Sequence, residues 1–265
     1  MKNSLINILN QDNGILRLTL DDENNKNALS KAMIDELTEA INAANDNKEV
    51  KVIIIASNGN VFCSGHNLKE ITAARNNNDK GESYFMNLFE LCSSLMQLIV
   101  SCSKPVIAEV DGIATAAGCQ LVASCDLAIS SSTAKFATPG VNIGLFCSTP
   151  MVALSRNVSK KEAMKMLLTG DMIDAVEAKR ISLINDYVSD DKLEESVNNL
   201  ALKISKKSSM TVKIGKEAFY KQAEMSLSDA YAYTSMVMAQ NTLNDDAKEG
   251  ISSFIEKRDP SWQDN

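Results

Sequence analysis

The sequence predicts an α/β fold that ends in a helical C-terminal region. The run KVIIIA at residues 51–56 is continuously apolar and β-branched, which is typical of a strand buried on both faces of a parallel sheet. Strand-like and helix-like segments alternate from there to residue 130, the order expected when helices join parallel strands. Beyond residue 149 the pattern is nearly all helix. We therefore predict an α/β core followed by helices.

The N-terminal elements follow from turn and capping signals. Residues 4–8 and 15–20 are short apolar runs on either side of Asn13-Gly14, which indicates a hairpin. Ser30 can cap a helix, because apolar residues recur after it with the period of a one-sided helix: Met33, Ile34, Leu37, Ala40 and Ile41.

The next elements alternate along the chain. A loop at residues 57–67 follows the first buried strand, and a long helix is predicted at about residues 82–101. Strands at 105–110 and 125–130 then enclose a short helix within 115–123, and a helix at 159–170 and a strand at 183–188 come later. We divide the chain into a core that carries the site, residues 1–148, and a helical region, residues 149–265, that covers the site or forms subunit contacts.

Composition excludes several classes of function. The chain has 265 residues and a net charge of −7, with no basic stripe of the kind that binds nucleic acid. No segment has the ~20 consecutive apolar residues needed for membrane insertion. The six cysteines form no C-x-x-C pair, and His66 is the only histidine, so the sequence predicts reduced thiols and no metal site. Without a signal peptide pattern, a cytoplasmic location is expected.

Two loops of small residues follow predicted strands. Cys63-Ser64-Gly65 comes after the strand at 51–56, and Ala116-Ala117-Gly118 follows the strand at 105–110 and opens a helix. Carboxyl ends of parallel strands share one sheet edge, where ligands bind. Backbone N–H groups from both loops could therefore point at one oxygen and form an oxyanion hole. Close packing of helix on strand, without a ligand, is the alternative explanation.

Longer motifs in the same order resemble the crotonase superfamily, also called the enoyl-CoA hydratase/isomerase family, over about residues 5–258. They are KNALS (26–30), VFCSGHNLKE (61–70), KPVIAEVDGIATAAGCQLVASCDLAIS (104–130), FATPGVNIGL (136–145), LLTGDMIDAVEAKRISLINDYV (167–188) and FIEKR (254–258). GHNLKE and ATAAGCQLVASCD are most similar to the enoyl-CoA hydratase domain-containing proteins of that family. The resemblance implies a spiral of ββα units with a helical C-terminal region, a homotrimer or dimer of trimers, and an acyl-CoA substrate or ligand with no permanently bound cofactor.

The resemblance also assigns roles to residues. It implies that the backbone N–H groups of Ser64 and Ala117 form the oxyanion hole for a thioester enolate. The positions that would contact CoA are Lys26, Ala28, Cys63, Gly65, His66, Asn67, Leu68, Gly118, Phe254 and Lys257. For both lysines, a solvated surface charge is the alternative. His66 is expected to line the site rather than to catalyse.

The chain departs from the family at both positions where a hydratase carries its glutamates. These positions are Gln120 and Gly140 here. Loss of a positioned acid–base group typically lowers a rate by ~10²–10⁴-fold, so efficient hydration is not expected. Nearby carboxylates at Glu70, Glu109, Asp111 and Asp126 are weak candidates as replacements.

Two further residues bear on the missing base. Naphthoyl-CoA synthases, which also have Gly at the position of Gly140, use a bicarbonate anion as the base, and they hold it with a Gln where this chain has Thr138. Cys147 is a candidate for contact with the acyl group, with packing as the alternative.

Two hypotheses of function remain from the sequence. The first is an acyl-CoA-processing enzyme that relies on the oxyanion hole and an unusual acid–base group, for isomerisation, thioester hydrolysis or slow hydration. The second is a noncatalytic acyl-CoA-binding protein. A purely structural role ranks third, because it would not require both small-residue loops.

Overall fold

A computed structural model describes residues 4–264 as two sheets surrounded by helices. The strands are β1 (Ile6–Gln11), β2 (Ile15–Leu20), β3 (Val52–Ser57), β4 (Val106–Val110), β5 (Ile113–Thr115), β6 (Leu127–Ser131), β7 (Lys135–Ala137), β8 (Ile173–Asp174) and β9 (Asp186–Val188). The α-helices are α1 (Lys31–Asp46), α2 (Leu68–Ala74), α3 (Glu82–Ser101), α4 (Ala117–Ser124), α5 (Pro150–Asn157), α6 (Lys160–Thr169), α7 (Ala175–Arg180), α8 (Leu193–Ser205), α9 (Ser209–Gln222), α10 (Leu227–Thr242) and α11 (Asp245–Glu256).

The larger sheet has the order β1-β2-β3-β4-β6-β9, and the smaller one has the order β5-β7-β8. β1 and β2 form an antiparallel hairpin, and every later pair in the larger sheet is parallel. The predicted α/β core and helical C-terminal region are confirmed. β8 and β9 add two short strands to that C-terminal region, the second within the strand predicted at 183–188. The division at residue 149 stays a prediction.

β3 is buried on both faces, as its apolar run predicts. Ile53 and Ile55 face one core cluster, which includes the buried sides of α1 and α3. Val52, Ile54 and Ala56 face a second cluster, in which Leu193, Val197 and Ala201 of α8 cover the sheet. Full burial of each large aliphatic side chain contributes ~1.5–3 kcal/mol, so this strand anchors both layers. The loop that leaves its carboxyl end therefore starts from a rigid position.

Local signals place the first helix and the hairpin as predicted. The Ser30 side chain accepts a hydrogen bond from the Met33 N–H and caps α1. Asn13 and Gly14 both have positive φ, 63° and 73°, which asparagine and glycine tolerate at a tight turn between strands.

Four short elements were not predicted: β5, β7, β8 and α2. The strands have two or three residues each, too few to show an alternating pattern. Their formation depends on long-range pairing, since β5 is parallel to β7 and β7 is antiparallel to β8. This omission affects the site, because β5 carries one of the two small-residue loops.

α3 is apolar along most of its length. Its buried face contributes Leu88, Cys92, Leu95, Met96 and Ile99 to the core. Within residues 4–264, α3 alone meets the length and hydropathy expected of a membrane-crossing helix. That is weak evidence for a membrane span, because core helices of soluble proteins share these properties.

The C-terminal tail folds back on α11 and on the turn between α8 and α9. Trp262 donates its indole N–H to the Lys206 carbonyl at 2.9 Å and packs against Gly250. The buried carboxylate of Asp246 accepts the N–H of Gln263 at 2.7 Å. Glu249 pairs with Arg258 and also accepts the Ser261 N–H at 2.8 Å. The tail is therefore tied to the last helix by carboxylates.

We expect acid to release this tail. The hydrogen bond from Arg258, assisted by the Ser261 N–H, lowers the pKa of Glu249 from 4.5 to about 2. A lowered pKa in the folded state stabilises the tail above pH 4.5, and that contribution is lost as the pH falls toward 2. Trp262 is the only tryptophan, so its fluorescence reports the release. Glu249→Gln is the control: its emission change in this window should be smaller than that of wild type, and not absent, because Asp264 also ties the tail through Lys51 and the Ser209 N–H. An identical transition in wild type and Glu249→Gln, followed alongside far-UV circular dichroism, would contradict the assignment.

Candidate active site

The two small-residue loops meet at the edge of the smaller sheet. The Cys63 N–H donates to the Ile113 carbonyl at 3.1 Å, and the Thr115 N–H donates to the Cys63 carbonyl at 2.9 Å. Residue 63 therefore pairs with β5 as a parallel bridge to Ala114. The expectation that the two loops lie together agrees with this geometry, although the second loop leaves β5 of the smaller sheet and not the strand at 105–110 from which it was expected.

Two glycines allow the loops to approach closely. A Cβ atom on Gly118 would lie 2.1 Å from the Cys63 carbonyl oxygen, so no other residue fits without movement of the backbone. A Cβ atom on Gly65, whose φ is +91°, would lie 2.9 Å from the Ala116 Cβ and 3.3 Å from the Ala117 nitrogen. Each loop thus occupies the space left by a missing side chain on the other.

Ala117 is the first residue of α4, so its N–H points out of a helix N-terminus. It has no hydrogen-bond partner within the described chain. The residue before it, Ala116, has φ 51° and ψ −118°, a region that side-chain-bearing residues rarely adopt and that costs ~1–3 kcal/mol. Its own N–H donates to the Ala137 carbonyl at 3.0 Å, which holds the turn against β7. This turn delivers a free backbone donor next to Gly65.

The other predicted donor is already engaged. The Ser64 N–H donates to the Lys26 carbonyl at 3.2 Å, near the upper limit for an N–H···O hydrogen bond. The Ser64 carbonyl accepts the Thr115 hydroxyl, also at 3.2 Å. A ligand oxygen would therefore compete with Lys26 for the Ser64 N–H.

Asn27 anchors the loop that brings Lys26 to this position, a role that the sequence reasoning missed. Its side chain donates to the carbonyls of Asn58 and Val61, at 2.9 and 2.8 Å, and accepts the Asp22 N–H at 2.8 Å. Lys26 and Asn27 both have positive φ. The sequence signal for this anchoring role is an asparagine that follows a lysine and precedes Ala28 and Leu29. Asparagine tolerates a positive φ and forms hydrogen bonds with the nearby backbone.

His66 lies against α3 rather than in a catalytic pair. Its Nδ1–H donates to the Leu29 carbonyl at 3.2 Å, and its ring meets Phe89 edge-on at 5.4 Å. Its Nε2 is buried and has no partner among the described residues. Burial lowers the pKa of His66, so the ring is neutral at neutral pH and offers Nε2 as an acceptor. This geometry is compatible with a lining role.

The neighbouring predicted contacts differ in exposure. The Asn67 side chain accepts the Lys69 N–H at 3.0 Å and so caps α2, while Leu68 is exposed. Cys63 is fully buried, and burial raises the pKa of its thiol to about 12. That thiol is therefore protonated at neutral pH. The backbone of residue 63, not its sulfur, shapes the site.

The two positions assigned to glutamates have different surroundings. Gln120, in α4, is 4 % exposed, and its Oε1 has no partner within residues 4–264. A Cβ atom on Gly140 would lie 2.7 Å from the Leu145 carbonyl oxygen and 2.9 Å from the Cys147 sulfur. The loop after Gly140 therefore fills the space in which a longer side chain would start. Gln120 can therefore form a hydrogen bond with a ligand or a water through its side chain, whereas Gly140 has no side chain to do so.

Thr138 and Cys147 flank this region. Thr138 is 1 % exposed, and its hydroxyl has no partner in the described part of the chain. Burial raises the pKa of Cys147, which disfavours its thiolate, and burial together with Cys147 raises the pKa of Cys119 to about 12. All six cysteines are free and buried, as their scattered spacing predicts.

Glu109 serves a structural ion pair. It binds Arg17 through both oxygens, at 2.7 and 2.8 Å, on the side of the sheet that α8 covers, and Asn198 also accepts from Arg17. The sequence left the direction of Glu109 open, and the structure points it at Arg17. Glu109 is therefore not a free base.

The other carboxylates considered as replacement bases are also engaged or exposed. Asp126 accepts from Lys216 at 2.6 Å, from the Tyr220 hydroxyl at 2.9 Å and from the Val106 N–H at 2.7 Å. Glu70, half-buried, accepts the Tyr84 hydroxyl at 2.9 Å. Asp111 is exposed. Residues 4–264 contain no cluster of potential metal ligands.

Phe254 and Lys257 lie at the C-terminal end of α11. α11 packs against α9 and α10, and no hydrogen bond or ion pair within the described residues joins its end to residues 63–65 or 116–118. Phe254 is 84 % exposed. Exposed apolar side chains continue along α10 and α11 at Leu227, Tyr231, Met238 and Ile255, and at Leu243 between the two helices.

Comparison with known proteins gives a consistent result across sequence and structure. The family model described as enoyl-CoA hydratase/isomerase matches residues 10–265. A Xenopus laevis protein named enoyl-CoA hydratase domain-containing protein 3, mitochondrial, is 48% identical over 99% of this chain and 87% of its own length. The crystal structure of the human domain-containing protein 3 has a TM-score of 0.92 at 44% identity, covering 97% of this chain and 100% of that one. An enoyl-CoA hydratase structure from Mycobacterium smegmatis has a TM-score of 0.94 at 42% identity, covering 98% and 99%.

The cytoplasmic location expected from the sequence is contradicted by this comparison. The similar Xenopus, rat and human proteins are all named as mitochondrial. Buried, reduced cysteines fit any reducing compartment, so they could not separate the two locations.

Proposed function

Because this chain belongs to the enoyl-CoA hydratase/isomerase family, the crotonase superfamily, we propose that it binds an acyl-CoA thioester and stabilises negative charge on the thioester oxygen. The N–H groups of Ala117 and Ser64 are the proposed donors. The observation that carries the proposal is the interlocking of their two loops through Gly65 and Gly118. Each donor of such a site is worth ~3 kcal/mol in the transition state.

The site acts on charge that develops on oxygen. When a thioester loses a proton at its α-carbon or gains a nucleophile, the carbonyl oxygen becomes an oxyanion. The free Ala117 N–H and the positive end of the α4 dipole stabilise that oxyanion. The oxygen also takes the Ser64 N–H, which otherwise donates to Lys26 at 3.2 Å.

Efficient hydration is not part of the proposal. Gln120 can hydrogen-bond to a water but has no pKa suited to accepting a proton, and no side chain at all projects from position 140. Isomerisation, thioester hydrolysis and slow hydration are the reactions compatible with such a site. CoA enters as substrate or ligand, and no resident cofactor is included.

A noncatalytic acyl-CoA-binding protein is the second candidate. The observation that favours it is the engagement of Glu70, Glu109 and Asp126 by partners of their own. Without an acid–base group, the retained backbone donors would still orient a thioester.

We also propose assembly into a homotrimer or a dimer of trimers. The exposed apolar side chains on α10 and α11 support assembly, because a monomer would leave them in water. The exposure of Phe254 in a single chain also supports it. In such an assembly, CoA would contact the ends of α11 from a neighbouring copy.

A chromophoric thioester tests the proposal without requiring turnover. 4-Dimethylaminocinnamoyl-CoA absorbs at longer wavelength when its carbonyl is polarised, so binding to the wild-type protein should shift its absorption to the red. Free 4-dimethylaminocinnamic acid, which lacks CoA, is the control and should show no shift. Saturable binding of the thioester with an unchanged spectrum would contradict the proposed oxyanion site.

A further inference from the structure

We propose that the acyl group taken by this site carries a carboxylate on its α-carbon, as a malonyl thioester does, and that the protein removes this carboxylate as carbon dioxide. The inference rests on the proposed function and deepens it, because it names a substrate class and a reaction for the same oxyanion site. It combines the retained backbone donor, the engagement of the nearby carboxylates, and two buried polar side chains that have no partner within residues 4–264.

The engaged carboxylates restrict the reaction. Isomerisation, thioester hydrolysis and hydration each need a group that accepts a proton. Positions 120 and 140 carry no carboxylate. Glu109 and Asp126 are each held by a basic side chain, and Glu70 accepts a tyrosine hydroxyl. Loss of carbon dioxide from the α-carbon of a thioester forms the same enolate by breaking a carbon–carbon bond, so this step needs an oxyanion hole and no base.

Gln120 and Thr138 are the two buried polar side chains. Gln120 is 4 % exposed and Thr138 is 1 % exposed. Neither the Gln120 Oε1 nor the Thr138 hydroxyl has a hydrogen-bond partner in the described part of the chain. Buried polar atoms are nearly always hydrogen-bonded, so two such atoms indicate that a polar group from outside the chain completes them.

Hydrogen bonds place both residues beside the turn that carries the oxyanion donor. The Ala116 N–H donates to the Ala137 carbonyl at 3.0 Å, and the Ala116 carbonyl accepts the Gln120 N–H at 3.0 Å. Thr138 directly follows Ala137. Both residues therefore adjoin the residue that precedes the Ala117 N–H. A malonyl thioester requires this proximity, because one carbon separates its carboxylate from the thioester carbonyl.

The residue types at this place suit an anion. The Thr138 hydroxyl can donate a hydrogen bond, and the Gln120 amide carries two N–H donors on Nε2. Because its Oε1 has no partner to fix the amide, the amide can turn and present Nε2 to a carboxylate. A glutamate at position 120 or 140 would place a like charge near that carboxylate. Both departures from the hydratase pattern therefore favour an anionic acyl group.

The reaction is balanced with water alone. The bond between the α-carbon and the carboxylate breaks, carbon dioxide leaves, and the electron pair of that bond forms the enolate. The enolate oxygen accepts the N–H groups of Ala117 and Ser64. A water then gives a proton to the α-carbon, and the remaining hydroxide combines with carbon dioxide. Malonyl-CoA and water thus give acetyl-CoA and bicarbonate.

Chromatographic detection of acetyl-CoA tests the inference. Wild-type protein incubated with malonyl-CoA should form acetyl-CoA at a rate that saturates with substrate. Succinyl-CoA is the matched control, since its carboxylate lies one carbon further away and its loss would not give an enolate. It should remain intact under the same conditions.

Substitutions test the two side chains. Gln120→Met removes the amide and Thr138→Val removes the hydroxyl, each with little change in shape. Each should lower kcat/KM for malonyl-CoA by ~10-fold or more, because a hydrogen bond to a charged group is lost, with the melting temperature unchanged. Gly215→Ala, inside α9, should react as wild type does. In alkaline buffer, in which the introduced carboxyl is ionised, Gln120→Glu should also lower this rate while it raises crotonyl-CoA hydration.

The outcomes separate this inference from the proposed function. A red shift of bound 4-dimethylaminocinnamoyl-CoA without any acetyl-CoA from malonyl-CoA would overturn the inference and leave the oxyanion site standing. Absence of both would overturn both. Acetyl-CoA formation that Gln120→Met and Thr138→Val leave unchanged would overturn the roles of these side chains. Faster crotonyl-CoA hydration on addition of bicarbonate, with malonyl-CoA unreacted, would assign the two side chains to a free anion and also overturn the inference.

Discussion

Replacing Gly118 by alanine should lower the free energy of unfolding by ~3 kcal/mol or more, because the new methyl group would overlap a backbone atom. Its Cβ would lie 2.1 Å from the Cys63 carbonyl oxygen, which also accepts the Thr115 N–H. Relief of that overlap requires the two loops to separate. We therefore also expect any folded Gly118→Ala protein to lose the red shift of a bound chromophoric thioester.

Gly215→Ala is a matched control in the same protein. Gly215 lies inside α9, and a Cβ atom there would meet nothing within 4 Å. Alanine should therefore stabilise the protein by ~0.5–1 kcal/mol through its better helix propensity. Urea denaturation of both variants measures the difference. If Gly118→Ala were as stable as wild type, the close approach of the two loops would be wrong.

Gln120→Glu should raise the rate of crotonyl-CoA hydration on the order of 10²-fold over wild type, because it restores one acid–base group. The substitution is nearly isosteric at a buried position whose Oε1 has no partner in the described chain. The low polarity of this position raises the pKa of the introduced carboxylate. Activity as a base should then fall as the pH falls through that pKa, a dependence that wild type should lack.

Gln120→Met, which keeps the length of the side chain without a polar end, is the control and should stay as slow as wild type. Gly140→Glu is not expected to add to the gain. Its first side-chain carbon would already lie 2.7 Å from the Leu145 carbonyl oxygen and 2.9 Å from the Cys147 sulfur. No gain in Gln120→Glu, with thioester binding intact, would mean that position 120 does not face the reacting carbons.

The elements that the sequence predicted well are those with strong local signals. β3 was evident from a run of β-branched residues, and α1 from the Ser30 cap and its one-sided apolar face. The loops of residues 63–65 and 116–118 could be placed near each other because carboxyl ends of parallel strands share a sheet edge, although residues 116–118 leave β5 of the second sheet. The interlocking of the two loops through Gly65 and Gly118 is visible only in the three-dimensional structure.

What the sequence could not provide depends on contacts between distant segments. The engagement of the Ser64 N–H by Lys26 joins residues that are 38 positions apart and carries no residue-type signal. The pairing of Glu109 with Arg17 is decided by which face of β4 meets α8. The strain at Ala116 is invisible in sequence, because alanine at a helix start is common. At position 140 the sequence indicates only the loss of a glutamate, whereas in the structure Leu145 and Cys147 also fill the space in which its side chain would start.

The decisive measurement is the initial rate of crotonyl-CoA hydration by the wild-type protein, beside an ordinary hydratase at equal active-site concentration. If the backbone donors are retained and the acid–base pair is absent, this rate should be at least ~10²-fold below that of the ordinary hydratase, in a preparation that binds acyl-CoA. A rate within ~10-fold of the ordinary hydratase would contradict this prediction, because a base other than residues 120 and 140 would then have to be present.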